Sequence, residues 1–582
     1  MATVDEWPIG TGAVTALLDR FGVDRVDLLV ADVTLLALLA RLYDLGGRVA
    51  HWDEARVAYW TMRYVETGNV RYRPIIHGPF YHHVNRLLFE VLGPSDFSMR
   101  LVVAVVGGLL PLAALLFRDR LRGVEVVALA LFLAVNPVVL YYSRFMRGDP
   151  LVAMFMFLAF ALFVRGVDVR KTRYAYAAVG AAALGFTVKE NALLYLVCWV
   201  GAAVVVADHR LLDADRERHW TALVGGHVRW AWRLFKRRFV TVVLLAAEFL
   251  AVVVFFYAPR GQTDAGPGLW TAFADPGKAP AVLETATVGA WQDFWGLWVS
   301  GGHQDHAYLP YLGDFLQTMG HGALALSLFA LVGFAADRYA ADGPRDLVQA
   351  CFVWGFASVL GYPLVTDIMA PWATINAIVP LAVPAAVGVG LLARWTAGAF
   401  ADAVHVETGL GAFTLAVVAA VVVSASVGAV YLSPQSEGNE LVQYAQPAGD
   451  VGPLMQRLDA AAADHEGTDV VVVGEKFVDN GDPSVPRKPG CVKWFNALPL
   501  PWYFAASDAD VTCADDVAGV GRAVDESRPP LVVARGADEQ ALADALPGYE
   551  LRTYRLRAWG YETAFFVHED YVGGLPPGET GR

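Results

Sequence analysis

Residues 51–100 read HWDEARVAYWTMRYVETGNVRYRPIIHGPFYHHVNRLLFEVLGPSDFSMR. This stretch lies between the first and second long apolar segments, so it sits outside the bilayer at one membrane face. It opens with a carboxylate pair, Asp53-Glu54, directly after the first segment. An amphipathic helical pattern follows, with Ala58, Met62 and Val65 on one side and Arg56, Arg63 and Glu66 elsewhere, ended by a turn at Gly68-Asn69. Next comes a cluster of His77, Gly78, Pro79, Tyr81, His82 and His83, then a second amphipathic helix over Val84–Leu92. Helices lying in the interface, with carboxylates aimed at the membrane boundary, suit chemistry on a lipid-borne substrate.

Working outward, the chain has 582 residues, 56% hydrophobic and only 18% charged. That composition excludes an ordinary soluble domain and gives a polytopic α-helical membrane protein. Apolar runs predict about 11 transmembrane helices, near 26–43, 99–117, 124–142, 150–165, 174–188, 190–207, 239–257, 320–336, 347–365, 373–393 and 409–431. The first carries Asp27, Asp32 and Arg41, and ionisable groups within a span face the bundle interior or other helices. If the N-terminus is cytoplasmic, the inner loops hold Arg118, Arg120 and Arg122, then Arg165, Arg170, Lys171 and Arg173, then the basic run ending at Lys236-Arg237-Arg238. The opposite loop, 258–319, holds Arg260 and Lys278 against six acids, as the positive-inside rule requires. The first twenty residues, with Asp5, Glu6 and Asp19, lack the pattern of a signal peptide and read as a cytoplasmic lead-in. The net charge of −13 excludes nucleic acid as the main partner, and the excess of acids fits a salt-adapted source such as a haloarchaeon.

The sequence therefore divides into a membrane domain, 1–431, with external loops 46–98 and 258–319, and an extracellular α/β domain, 432–582. In the latter, Asp469–Val473 and Leu531–Ala534 read as buried strands, with helical stretches at 515–527 and 537–546. Strands Glu550–Trp559 and Glu562–Glu569 flank a Gly560-Tyr561 turn and form a hairpin. Cys198 and Cys351 fall in spans and read as packing residues; Cys491 and Cys513 fall in the external domain, where a disulfide is open to them. The aromatic stretch Lys493–Phe495 and Pro499–Tyr503 reads either as a packed loop or as a cover over the external cavity.

Asp53 can serve as a general base or hold a divalent cation, and equally can cap the interfacial helix; Glu54 has the same two readings. Asp149, in Tyr141–Pro150, has a capping reading too, preceding Pro150 at a helix start. Arg144 and Arg147 beside it can grip a phosphate or anchor the helix at the headgroups. Lys189-Glu190 interrupts an apolar stretch, either as an ion pair or with Lys189 as a phosphate ligand. His77 and His82 are further candidates for contact with substrate. Trp291, Trp295 and Trp298 form one helical face, read as an interfacial belt. His303 and His306 lack a third ligand in metal spacing.

In order, Asp53-Glu54, Gly68-Asn69, His77-Gly78-Pro79-Phe80 and Gly93-Pro94-Ser95 through Arg100 resemble the first external loop of the GT-C glycosyltransferases, in the protein mannosyltransferase and aminoarabinose transferase branches. His77-Gly78 departs from the basic-Pro pair of that pattern. Over nearly the whole chain, Trp52–Ala55, Arg144–Asp149, Lys189–Asn191, Pro371-Trp372, Pro499–Tyr503 and Tyr554–Trp559 resemble the archaeal flippase activity-associated proteins linked to N-glycosylation. The resemblance implies a membrane glycosyltransferase acting on a dolichyl-phosphate-linked sugar, with a protein or lipid as glycan acceptor. Alternatively it implies a non-catalytic partner that assists flipping of that lipid. It also implies catalytic roles for Asp53, Glu54 and Asp149, and phosphate contact through Lys189. A divalent cation, Mg or Mn, on Asp53 and Asp149 is the cofactor it leaves open.

Overall fold

Every apolar run predicted to span the membrane coincides with helix in the computed structural model: Arg25–Leu42, Asp96–Leu109 continued by a 3-10 segment Leu110–Phe117, Gly123–Val135 with Pro137–Tyr142, Gly148–Val169, Arg173–Val188, Ala192–Asp213, Phe239–Tyr257, Tyr308–Arg338, Asp346–Val365, Ile375–Ala401 and His405–Val427. The structure describes residues 24–575 apart from 75–77, 214–224, 227–228, 230–231, 234, 265, 301–305, 342, 367, 449–450, 480–486, 558–559, 561 and 574. The N-terminal lead-in, His77, His303, Asp305 and the 558–559 end of the terminal aromatic stretch lie outside the described residues. Among the described residues, 8 helical segments are long and apolar enough to cross a membrane. The other three, Arg25–Leu42, Gly123–Val135 and Arg173–Val188, are shorter or carry more charge. The chain is a multi-pass membrane protein.

Two of these elements depart from their sequence outline. The third apolar run is broken at Asn136-Pro137, where Asn136 Oδ1 accepts from the backbone N–H groups of Val138 and Val139, at 3.1 and 3.2 Å, and starts a new helix. The run expected at 320–336 belongs to a longer helix that begins at Tyr308 and kinks at Ala323 (φ −148°). The Asn136 amide donates to Gly322 O, just before the kink, at 3.0 Å. The segment Pro371–Ala401 is the central one, with 83% of its apolar window buried, whereas Phe239–Tyr257 has none. Its neighbour Tyr308–Arg338 approaches it at two glycines: a Cβ on Gly333 would run into Pro384 O, and one on Gly388 into Phe329 O. Small residues at such a crossing let two backbones touch.

Ion pairs gather at one end of this bundle. Arg118 pairs with Asp27 (2.8 Å) and Arg120 with Asp168 (2.7 Å). Buried Glu125 receives Arg345 (2.7 Å) and Arg394 (3.0 Å). Asp168 and Asp149 stand at opposite ends of the Gly148–Val169 helix, roughly 30 Å apart at 1.5 Å per residue. The arginine-rich loops thus share one end, and Asp149 lies at the other.

The described chain forms two compact units: one through Tyr43, with Asn69–Phe80 and Val103–Leu432; the other of Asp44–Gly68, Tyr81–Val102 and the residues from Ser433 onward. The sequence-based division assigned loop 46–98 to the membrane domain. Most of that loop instead groups with the C-terminal residues, because its buried polar side chains find their partners there. The second unit carries a five-stranded mixed sheet of β1 (Val470–Val473), β2 (Val511–Ala514), β3 (Leu531–Ala534), β4 (Tyr549–Arg555) and β5 (Glu562–His568), in the order β2-β1-β3-β5-β4. β1 runs parallel to β2 and β3; β5 runs antiparallel to β3 and β4, which is the expected hairpin. Strand β2 was not anticipated, since Val511-Thr512-Cys513-Ala514 is too short and mixed to show periodicity. Cys513 on β2 is disulfide-bonded to Cys491, with Cα atoms 6.0 Å apart.

Candidate functional site

The Asp53-Glu54 pair heads the helix Trp52–Thr67. His51 caps it: its Nδ1 accepts from Asp53 N–H (3.0 Å), and Glu54 Oε2 accepts from His51 N–H (3.0 Å). That acceptance leaves Nε2 as the protonated nitrogen, which donates to Gln443 Oε1 (2.7 Å). The two acids then diverge. Glu54 is wholly buried and takes a bidentate pair from Arg100, Nε to Oε1 at 2.9 Å and Nη2 to Oε2 at 3.0 Å, with Arg48 Nη2 on Oε2 at 2.8 Å. Arg100 Nη1 also donates to Leu45 O (3.1 Å) and Arg48 O (2.7 Å). Burial opposes ionisation of Glu54, but the guanidiniums of Arg100 and Arg48 outweigh it and hold the carboxyl at about 2. Asp53 keeps its side chain 26% exposed, with one oxygen 3.8 Å from His51 Nδ1. Of the two sequence candidates, only Asp53 has an edge that a substrate can reach; Glu54 positions the helix.

The same unit explains the Pro499–Tyr503 stretch as packing. Trp502 Nε1 and Tyr503 Oη donate to the two oxygens of Asp96, at 3.0 and 2.7 Å, and Ala50 N–H donates to Tyr503 Oη at 2.8 Å. Trp502 stacks on Phe89 at 5.8 Å. His82 is also structural, buried with its Nδ1 2.9 Å from Thr61 Oγ1 between the two amphipathic helices.

The second cluster belongs to the helical unit. Asp149, in the first turn of Gly148–Val169, is buried and both its oxygens accept from Lys189 Nζ, at 3.0 and 2.8 Å. Arg147 Nε lies 3.6 Å from Asp149 Oδ2, and its guanidinium lies 3.5 Å from the centroid of Trp372. Trp372 is therefore the platform under Arg147. The segment carrying Lys189 is held by Gly78, whose N–H donates to Val188 O (3.1 Å) and whose Cβ, if present, would run into Thr187 O. Gly78 in place of proline permits that approach and supplies the N–H. Tyr72 Oη donates to Glu190 Oε1 (2.5 Å) and its ring meets Tyr257 edge-on at 4.8 Å. Burial pushes the Glu190 carboxyl up, against the hydrogen bond from Tyr72. Among the described residues, Asn191 beside it has both amide atoms buried without a hydrogen-bond partner.

Arg144, a candidate phosphate ligand, is committed elsewhere. Its Nη1 donates to Ala40 O (3.0 Å), Arg41 O (2.9 Å) and Tyr43 O (2.6 Å), closing the end of the Arg25–Leu42 helix. Arg41 does the same for the Gly123–Val135 helix through Ala134 O (3.0 Å) and Leu133 O (3.3 Å). His306 Nε2 donates to Pro363 O (2.9 Å) and its ring packs on Tyr311. Among the described residues no group of three His, Cys, Asp or Glu side chains is gathered to hold a metal ion. The side chains paired with Asp149 are both cations, Lys189 and Arg147. Arg48 and Tyr72 were not picked out from sequence; Arg100 and Asn191 entered it only as the ends of resembling stretches, with no role assigned. A basic residue at the head of an apolar run was the signal for Arg100.

Comparison with known proteins agrees with this fold. Residues 451–569 match the model of the Agl23 flippase-associated protein C-terminal domain, and residues 76–228 match dolichyl-phosphate-mannose-protein mannosyltransferase. The crystal structure of ArnT from Cupriavidus metallidurans in the apo state aligns over 97% of this chain and 100% of its own, with TM-score 0.51 and 14% identity. ArnT bound to undecaprenyl phosphate aligns over 94% of this chain and 98% of its own, again with TM-score 0.51 and 14% identity. The Archaeoglobus fulgidus oligosaccharyltransferase in the apo form aligns over 92% of this chain and 75% of its own, with TM-score 0.49 and 12% identity. No curated protein matches the chain in sequence.

Proposed function

We propose that this chain, a GT-C-like membrane fold with a flippase-associated type of C-terminal domain, is a glycosyltransferase that takes its sugar from a dolichyl-phosphate-linked donor at the external membrane face. The observation that carries the reading is the buried Asp149–Lys189–Arg147 cluster at the end of the bundle opposite the arginine-rich loops. Lys189 and Arg147 receive the donor phosphate, and Asp149 holds the lysine in place between turnovers. The acceptor hydroxyl oxygen attacks the anomeric carbon, the bond from that carbon to the phosphate oxygen breaks, and dolichyl phosphate departs. In the helical unit Lys189 and Arg147 meet the charge left on the phosphate; in the second unit Asp53 is the carboxylate we propose as base for the acceptor proton. The positive-inside distribution supports a cytoplasmic N-terminus and an external C-terminal domain. The match of ArnT bound to undecaprenyl phosphate supports a polyprenyl-phosphate donor by likeness of fold.

The match of residues 451–569 favours a second reading, a non-catalytic partner that binds the same lipid and assists its flipping. Purified protein with a labelled dolichyl-phosphate hexose and peptide or lipid acceptors separates the two. Transfer by wild type is expected to fall by about a hundredfold or more in Asp53→Asn with donor binding retained, and donor binding to weaken in Lys189→Met. Donor binding without transfer to any acceptor would sink the enzymatic reading. An arm with Mg or Mn, and with chelator, tests whether a divalent cation contributes.

A further inference from the structure

Beside Asp53 the second unit carries a feature with no part in the mechanism above. Trp52 and Phe495 stack with ring centroids 5.9 Å apart and 27° between their planes, and Trp52 Nε1 donates to Phe495 O at 2.9 Å. Three guanidiniums converge on this pair. Arg56 lies 5.4 Å from the Trp52 centroid and 5.8 Å from that of Phe495. Arg557 lies 5.6 Å from Trp52, and Arg487 lies 5.5 Å from Phe495. Phe495 is 46% exposed, and Trp52, Arg487 and Arg557 are each partly exposed. Acids outnumber bases in this chain by 58 to 45, so three arginines on one accessible ring pair concentrate positive charge against the general trend.

We propose that this platform is a subsite for an anionic sugar, a pyranose bearing a carboxylate or sulfate group within the acceptor glycan. The apolar face of a pyranose lies flat on an aromatic ring, as cations do by a different force. The planar fork of a guanidinium matches a carboxylate or sulfate at two points. A neutral sugar would use the rings and leave the arginines idle; a simple anion would use the arginines and leave the rings idle. The assignment to the acceptor rests on the glycosyltransferase reading; the binding itself does not.

Calorimetric titration of the full-length protein in detergent with tetragalacturonate, and with its neutral methyl ester, tests the proposal. The acid is expected to bind more tightly than the ester, with affinity falling as salt is raised. Arg487→Ala and Arg557→Ala should each weaken acid binding by at least about fivefold while leaving the ester unaffected. Trp52→Ala should weaken both ligands, and unchanged thermal unfolding of Arg487→Ala confirms that the fold is intact. Equal binding of acid and ester, or wild-type affinity in both arginine variants, overturns the proposal. Equal competition by polyglutamate of the same charge overturns it as well, assigning the platform to an acidic polypeptide. If wild type binds the acid but never transfers a hexose, the subsite stands and the catalytic reading alone falls.

Discussion

Asp53 and Glu54 are adjacent in the chain and differ in every physical respect that matters to chemistry. The first keeps an exposed edge; the second is buried between two guanidiniums. Glu54→Gln would leave Arg48 and Arg100 buried without their countercharge, which should cost roughly 3 kcal/mol of stability, visible as a lowered unfolding midpoint. The pH dependence has a definite sign. The Glu54 carboxyl titrates near 2 when folded against an ordinary 4.5, so its contribution is complete above about 4.5 and is lost as pH falls from there towards 2. Acid unfolding of wild type should therefore steepen in that window, and Glu54→Gln should flatten it. Asp53→Asn, which removes a partly exposed group, should leave the unfolding curve close to wild type while lowering transfer by about a hundredfold or more.

Between elements, the contact that sets the second cluster is a turn against a helix end. Gly78 meets the Thr187-Val188 backbone, and that backbone presents Lys189 to Asp149. Gly78→Ala adds one carbon where there is no room, so the Lys189 segment must shift; overpacking of this kind costs about 1–3 kcal/mol. Donor affinity is expected to fall by about tenfold, a displaced lysine losing most of one charge-assisted hydrogen bond, and equilibrium binding of labelled donor would read it. Wild-type affinity in that variant would mean that Lys189 is not held by the turn. The break at Asn136-Pro137 is the converse case. Its cap and proline were plain in the sequence, yet the stretch reads as one span because hydropathy is blind to a single-residue interruption.

At the scale of the molecule, one disulfide and one grouping of segments depend on distant parts of the chain. The 22-residue separation between Cys491 and Cys513 says nothing of proximity; the pairing of β2 with β1, and the Val478–Val492 bridge that ties the Cys491 segment to the chain leaving β1, bring them together. Cys491→Ser with Cys513→Ser is expected to cost about 3 kcal/mol, measured as a lower unfolding midpoint that reducing agent reproduces in wild type but not in the variant. The grouping of Asp44–Gly68 and Tyr81–Val102 with the C-terminal residues likewise follows from side chains hundreds of positions apart, such as Arg48 with Gln446 and Tyr503 with Asp96.

The membrane class, the helical runs, the hairpin β4-β5 and the positions of Asp53, Asp149 and Lys189 were legible in the sequence. Each depends on local periodicity, hydropathy or a cap, which a short window of residues expresses. Tertiary structure decided the roles. Glu54 and Arg144 offer the same charge in a sequence as Asp53 and Arg147, and only the groups that surround them make the first pair internal supports. Strand β2, the Trp372 ring beneath Arg147 and the meeting of Trp52 with Phe495 and Arg557 arise from contacts between residues far apart in the chain. No local pattern encodes such contacts, because burial and electrostatic environment are properties of the folded neighbourhood rather than of the residue.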